Sequence, residues 1–452
     1  MFVRSIRTAV GTALVVTLAA GCGGVGGSGS TSGGTGAATL TMMGFGTGDE
    51  VARTRFDAAN AAIAPSSAKA AEGSFSAQQF LSAVASGSPP DLVYMERRLL
   101  GTYAAKNALL PMADCVDREK IDLAQFRPAA ITEATLNGKL YGIPEFYNNR
   151  VLMLNDTAFA EAGLDPAGFG TQDWQRLSAD AARLTEVAGG KLRRIGFDPK
   201  IPEFLPMWAR ANGASLVSDD GKTARLNDPK VVQALEFTVG LINAQGGWAT
   251  FKSFRDSFDF FGARNQFASN QLGAFPMEDF YLNVLAENSP KVKLTVAPFR
   301  GVDGQPVNWV TGNAWAIPAG SPHPELACKW IKTMTDSPAW IAAANARAAA
   351  RQAKGQPFGG IFTGNKRADE VIFRDVVKPS GNPGFDAALR TVLQTQDAGV
   401  AEPLTAAGEE VKAAWQGAVN RVLDGKQQPA QALAQAQQEA QAALDAGNRP
   451  GK

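Results

Sequence analysis

Residues 75–95 read FSAQQFLSAVASGSPPDLVYM. Phe75–Ser86 carries apolar side chains at helical spacing, Gly87-Ser88-Pro89-Pro90 breaks the helix, and Asp91-Leu92-Val93-Tyr94-Met95 is a short apolar run typical of a buried parallel strand. Helix, break and buried strand is the repeating unit of an α/β fold. The alternation continues outward. Thr39–Phe45 reads as a strand and Asp49–Ala62 as a helix. Tyr141–Pro144 and Val151–Leu154 are extended, and Asn155–Ala162 starts a helix. Trp174–Val187 and Asp228–Gln245 are helical, Leu294–Pro298 and Ala314–Ile317 are strands, and Pro324–Thr335 is a helix opened by Pro and Glu. Glu409–Leu423 and Pro429–Leu444 close the pattern as amphipathic helices without a sustained heptad.

The chain has 452 residues, room for two substantial domains. A hydrophobic fraction of 45% with 19% charged residues excludes an intrinsically disordered chain. With 44 Lys+Arg against 43 Asp+Glu, the net charge of +1 provides no general attraction to phosphate backbones, so nucleic acid is not an expected partner. A single histidine, His323, rules out a multi-histidine metal site, and it reads as a polar turn residue before a helix. No cofactor is expected.

Residues 1–21 carry Arg4 and Arg7 and then an apolar run, Ala9 to Ala20, too short to span a roughly 30 Å hydrocarbon core. This is an export signal. Its end, Leu18-Ala19-Ala20-Gly21-Cys22, resembles a bacterial lipobox, which implies lipidation at Cys22 and an extracytoplasmic protein held on the cell membrane by that anchor alone. Residues 22–38, rich in Gly, Ser and Thr, form a flexible tether. Export permits a disulfide between Cys115 and Cys328, but sequence leaves a bridge and two free thiols equally open.

Five segments in order resemble the extracellular solute-binding proteins of ABC importers, in the group that includes maltose- and oligosaccharide-binding lipoproteins. They are Ser86–Tyr94; Asn137-Gly138-Lys139-Leu140-Tyr141-Gly142-Ile143-Pro144; Phe267–Phe275; Gly312-Asn313-Ala314-Trp315-Ala316-Ile317; and Leu423-Asp424-Gly425-Lys426. The resemblance implies the two-lobed α/β fold of periplasmic binding proteins, a Venus flytrap with strands crossing a hinge and a ligand cleft between lobes. Lobe 1 is expected over 39–147 plus about 297–340, and lobe 2 over about 148–296 plus 341–452. It also implies a monomer that binds a carbohydrate or similar small polar solute, closes on it, and hands it to the transmembrane subunits of a permease with their ATPase.

Open α/β sheets present ligands at the carboxyl ends of their strands, so the loops after strands supply the candidate contacts. These are Phe45 after the first strand, Glu96 and Arg98 after Asp91–Met95, Tyr147 and Asn148 after Ile143-Pro144, and Asn313 beside Gly312. The loop Pro276–Tyr281 offers Glu278 and Asp279 as hydroxyl acceptors. Tyr281 stands where the family usually has a Trp that stacks on a sugar face, while Phe280 reads as core. Trp208 and Trp309 are further stacking candidates, and Arg351 is a cation able to face the cleft from the second lobe.

Other ligands fit the same class. Arg97, Arg98 and Arg150 suit a glycerophosphodiester, whereas Glu96, Glu278, Asp279 and Tyr281 suit a polyamine. The rival from another class is an exported glycoside hydrolase, which needs two carboxylates about 5–9.5 Å apart across a cleft. No motif places such a pair, so the chain reads as a receptor and not an enzyme.

Overall fold

Asp91, which closes the Pro89-Pro90 break, ties down the first sheet. Its buried carboxylate accepts hydrogen bonds from Thr41 N at 2.8 Å and His323 N at 3.1 Å, and His323 Nδ1 lies 3.0 Å away. The one histidine is thus a structural tie. The computed structural model describes residues 36–449. The export signal, Cys22 and most of the tether lie outside the described residues.

The first sheet has the order Ser67–Lys69, Thr39–Met43, Leu92–Glu96, Asn313–Ala316, Ile143–Pro144. Thr39–Met43 runs parallel to both its neighbours, and Asn313–Ala316 antiparallel to both of its own. Successive side chains of a strand point to opposite faces, and both faces here are dry. Leu92 and Trp315 pack with Phe56 of helix Glu50–Ala62 and Trp330 of helix Pro324–Thr335. Val93, Ala314 and Ala316 pack with Phe80 of helix Ala77–Ala85 and Leu100 of helix Arg97–Ala105. Each large side chain so buried stabilises the fold by roughly 1.5–3 kcal/mol. Cys115 and Cys328 form a disulfide, with Cα atoms 5.5 Å apart, that fastens helix Ala113–Glu119 to Pro324–Thr335.

The second sheet has the order Leu294–Ala297, Arg150–Asn155, Leu272–Glu278, Lys191–Phe197, Glu186–Ala188. All six residues of Arg150–Asn155 are buried, as its near-central place requires. Lys191–Phe197 is a strand the sequence hides, because Arg193 and Arg194 interrupt its apolar run. Arg194 is nonetheless 5% exposed, with its guanidinium 2.5 Å from Glu161.

The chain passes between the sheets three times. It leaves the first after Ile143–Pro144 to begin Arg150–Asn155, and returns through Asn308–Trp309 to Asn313–Ala316. The third passage is not at residue 341, where the sequence places it. Helix Ser337–Ala353 packs on Glu50–Ala62 of the first lobe, with Trp340 fully buried and the Arg55 guanidinium 3.6 Å from the centre of its ring. A π-helical turn, Ile372–Val376, packs with the same group through Ile372 and Val376 while its Phe373 reaches the second-lobe core, and the helix that follows, Pro383–Gln396, lies against the second sheet at Leu294–Ala297. An alanine-rich helix shows its periodicity but not which core it serves, so the boundary shifts to the segment between Val376 and Pro383.

The last helices, Gly408–Leu423 and Pro429–Gly447, pack on each other and on Pro229–Ala244 of the second lobe. The first of them also reaches helix Arg97–Ala105 of the first lobe. Gly101 permits this approach, since a Cβ there would stand 2.1 Å from Thr405 O. Gly408 does likewise, a Cβ there meeting Arg98 O at 2.5 Å.

Candidate binding cleft

The carboxyl ends of both sheets and the crossing segments surround a cavity of about 550 Å³. Glu96 and Arg98 enter from the end of Leu92–Glu96 and the helix that follows it. Asn148, Arg150, Trp309 and Thr311 come from the crossing segments. Lys200, Glu203 and Phe204 follow strand Lys191–Phe197, and Glu278 ends strand Leu272–Glu278. Glu402–Thr405 and Trp415 complete the wall. This is the strand-end location expected of open α/β sheets.

Arg150 is the hub. It is 4% exposed, and its guanidinium donates to Asn148 O at 3.2 Å, Trp309 O at 3.1 Å, Glu278 Oε1 at 3.0 Å and Thr311 Oγ1 at 3.0 Å. It also lies 4.2 Å from the centre of the Trp309 ring, a cation–π distance. Burial lowers its pKa from the usual guanidinium value, and Glu278 opposes that shift.

Several other charged groups of the wall are paired in the same way, whereas Lys200, Glu203 and Lys412, which also line it, have no ion-pair partner among the described residues. Arg98 bonds both Glu96 and Glu409. Glu133 accepts from fully buried Arg97 at 2.8 Å; burial pushes its carboxyl above the usual range while Arg97 holds it down. Glu402 pairs with Arg210 at 3.3 Å, and enclosure in the wall raises its pKa as well. Four lining residues nevertheless carry a buried polar atom with no hydrogen-bond partner: Arg150 Nε, Trp309 Nε1, Glu402 Oε2 and Thr405 Oγ1. Two are donors, one is an acceptor, and the hydroxyl can be either.

Of the twelve side chains proposed from sequence, Glu96, Arg98, Asn148, Glu278, Trp309 and Asn313 line this cavity. The structure places the other six elsewhere. Phe45 is 5% exposed and packs against Tyr94 and Trp315. Tyr147 is buried and lines a second cavity, its hydroxyl donating to Gln396 O at 3.3 Å. Trp208 is core, with Nε1 donating to Pro199 O at 2.8 Å. Asp279 is also buried and accepts from Asn149 N at 3.1 Å; burial holds it well above the carboxylate range. Tyr281 is fully buried and its hydroxyl donates to Phe260 O, whereas Phe280, read as core, is exposed. Arg351 pairs with Glu287 at 2.5 Å.

Sequence reasoning overlooked Glu133, the Lys200–Phe204 turn and Glu402. The turn follows the strand hidden by Arg193 and Arg194, and the rest come from helices and the carboxyl-terminal segment, where no strand end draws the eye. Arg150 is offered by the sequence only as a donor to phosphate, yet the structure spends most of its donors inside the protein.

The second cavity, of about 480 Å³, is built around Arg127. Its guanidinium donates to Asp397 at 2.5 Å, Asp369 at 2.9 Å and Gln396 Oε1 at 2.8 Å, and stands 5.3 Å from the centre of the Tyr147 ring. Among the described residues no group of three or more His, Cys, Asp or Glu side chains is placed to hold a metal ion.

Comparison with known proteins agrees with this geometry. A solved structure, CpMnBP1 with mannobiose bound, superposes with a TM-score of 0.72 at 25% identity, covering 89% of this chain and 99% of that one. An arabinooligosaccharide-binding protein of Bacillus subtilis is 23% identical over 255 residues, 56% of this chain and 57% of its own. A putative binding protein of Brucella abortus is 24% identical over 230 residues, 49% of this chain and 52% of its own. The chain thus spans little more than half the length of the curated relatives it matches. The family model for bacterial extracellular solute-binding proteins matches residues 68–339, more than half of the 452. With that match added to the two sheets, the crossing segments and the cavity between them, the chain belongs to the bacterial extracellular solute-binding proteins.

Proposed function

We propose that this protein is the substrate-binding component of an ABC importer and that its solute is a neutral carbohydrate, held in the 550 Å³ cavity and enclosed by rotation of the lobes. The observation that carries this reading is the state of the cavity's charges. Arg98, Arg150, Glu133, Glu278 and Glu402 each have an oppositely charged partner within the protein, so a ligand is not needed to neutralise them. What remains is the Trp309 ring and the side chains of Lys200, Glu203 and Lys412, which line the cavity without an ion-pair partner and can donate or accept hydrogen bonds. A sugar supplies both complements, hydroxyls that donate and accept, and a C–H face that lies against an aromatic ring. A glycerophosphodiester or a polyamine finds no uncompensated counterpart among those five groups and would have to rely on Lys200 and Lys412 or on Glu203 alone. The names of the relatives, which bind mannobiose and arabino-oligosaccharides, support the same class.

Binding without turnover is the further part of the proposal. A glycosidase needs a carboxylate free to give a proton and another free to attack or to activate water. Here Glu278, Glu133, Glu402 and Glu96 are each engaged by an arginine, which leaves Glu203 as the single lining carboxylate without such a partner, one where two are needed. Closure follows if the ligand touches both lobes, because only then does it favour the closed arrangement. Lipidation at Cys22 would keep the receptor beside its permease, and Cys22→Ala is expected to release it from membranes.

A thermal-shift screen against sugars, glycerophosphodiesters, polyamines and amino acids tests the assignment. A ligand of the native state stabilises it by about 2.7 kcal/mol at a hundred times its dissociation constant. The expected result is a shift confined to one class of sugars. Stabilisation by a phosphodiester or a polyamine, with none by any sugar, would overturn the reading.

A further inference from the structure

Among the described residues four ion pairs join one lobe to the other. Arg98 and Lys106 of helix Arg97–Ala105 meet Glu409 and Glu410 in the first turn of helix Gly408–Leu423, the second of these pairs at 3.8 Å. Arg351, near the end of helix Ser337–Ala353, reaches Glu287 of helix Tyr281–Asn288. The fourth pair is Arg127 with Asp397, beside the second cavity. In all four the cation belongs to the first lobe and the carboxylate to the second; among the described residues no pair between the lobes runs the other way. The charges of the whole chain divide likewise. Residues 39–147 and 313–382, the first lobe, hold 19 Lys+Arg against 17 Asp+Glu, while residues 148–312 and 383–449, the second, hold 22 against 26. The other three charges of the chain are Arg4, Arg7 and Lys452. A nearly neutral sequence thus folds into a basic lobe and an acidic one.

The shared polarity has a physical meaning. Ion pairs of alternating direction attract only near contact, because at a distance the charges on each side cancel. Pairs of one direction add, so the attraction persists while the lobes are apart, out to a Debye length of roughly 8–10 Å at physiological ionic strength. These charges are open to ions in solution: the Lys106 side chain is 47% exposed and that of Glu409 52%. We propose that the lobes are drawn shut by opposite charge, a basic first lobe against an acidic second, so that closure responds to ionic strength even though the solute is neutral. The inference rests on the lobe rotation proposed above and not on which sugar is bound. Capture then has two parts. The cavity recognises the sugar, and charges away from it supply some of the attraction that brings the second lobe over it.

Small-angle X-ray scattering of the sugar-free protein tests this as NaCl is raised from about 0.01 M to about 1 M, over which the screening length shrinks from about 30 Å to about 3 Å. The radius of gyration is expected to grow with salt. Glu287 and Glu410 line neither cavity, so their charges can be reversed without touching the cleft wall. The double variant Glu287→Lys, Glu410→Lys is expected to raise the ratio of open to closed protein about tenfold at low salt. Adding Lys106→Glu and Arg351→Glu restores opposite signs at both contacts and is expected to bring the radius back toward that of the wild type. A radius that ignores both salt and reversal overturns closure by charge. Expansion on reversal that the exchange does not undo overturns it too, since shape and not sign would then be at work. Variants of unchanged radius that fail in uptake also overturn it and assign these charges to contact with the transporter. A protein that, besides, does not contract with a sugar that raises its melting temperature brings down lobe rotation itself.

Discussion

Two cavities adjoin the crossing segments, and the difference between them comes down to one residue of register. Asn148 lines the cavity around Arg150, and its neighbour Tyr147 lines the one around Arg127. The backbone there is extended, with Phe146 bridged to Thr363 and Asn148 to Thr311, so successive side chains leave on opposite sides. The same parity sets Glu278 in the cleft and Asp279 in the interior, and Trp309 in the cleft while Asn308 donates to Thr395 O at 2.7 Å. Each cavity has a buried arginine, but the two are used differently. Arg150 keeps its Nε unengaged, whereas Arg127 divides its donors among Asp369, Asp397, Gln396 and Thr363 O. One arginine stands in the cleft wall with its Nε buried and unpaired; the other holds two segments of chain together.

The largest effect that would break this contrast is expected from Arg150→Met. Removing one partner of a buried pair leaves Glu278 uncompensated, which costs about 3–5 kcal/mol. Denaturant unfolding should show that loss together with abolished ligand binding. A stable variant that still bound its solute would remove Arg150 from the centre of the cleft.

A smaller effect, confined to a pH window, is expected at the second cavity. Burial pushes the Asp369 carboxyl up to about 7, although Arg127 and Thr363 act to lower it. The native state therefore holds a proton between an unfolded value of about 3.9 and about 7, and stability falls as pH rises through that interval. Asp369→Asn cannot ionise, so its stability should fall less over the same range. Parallel slopes for variant and wild type, read from unfolding midpoints across pH, would contradict the assignment.

The smallest and most pointed comparison pairs Asn148→Ala with Tyr147→Phe. The first should weaken ligand binding about tenfold, or 1.4 kcal/mol, with little change in melting temperature. The second deletes the bond to Gln396 O and should cost about 1 kcal/mol of stability while leaving affinity unchanged. Affinity lost equally in both would mean that the parity argument is wrong.

The fold was the more legible part. Pro324–Thr335 has in the structure the bounds its Pro-Glu opening suggests, and Asp49, Asn155 and Asp228 all act as N-caps where a helix reads as starting. Apolar periodicity is a local property and survives in one dimension. The site was half legible, because a loop after a strand identifies the end of a sheet but not the direction of each side chain. Tyr281 and Phe280 exchange roles for that reason: both are aromatic, and only the turn into helix Tyr281–Asn288 decides which ring is turned inward. The third crossing was illegible, since nothing in an alanine-rich helix names its partner.

The disulfide has a mechanical consequence. Cys115 and Cys328 are 213 positions apart, and the whole second sheet, from Arg150 to Ala297, lies on the chain between them. Tension applied at two points outside that covalent ring runs across the sulfurs and never along the enclosed stretch. The stretch that carries the second sheet is shielded from such force, whereas the helices from Pro383 onward that pack on it lie outside the ring and are not.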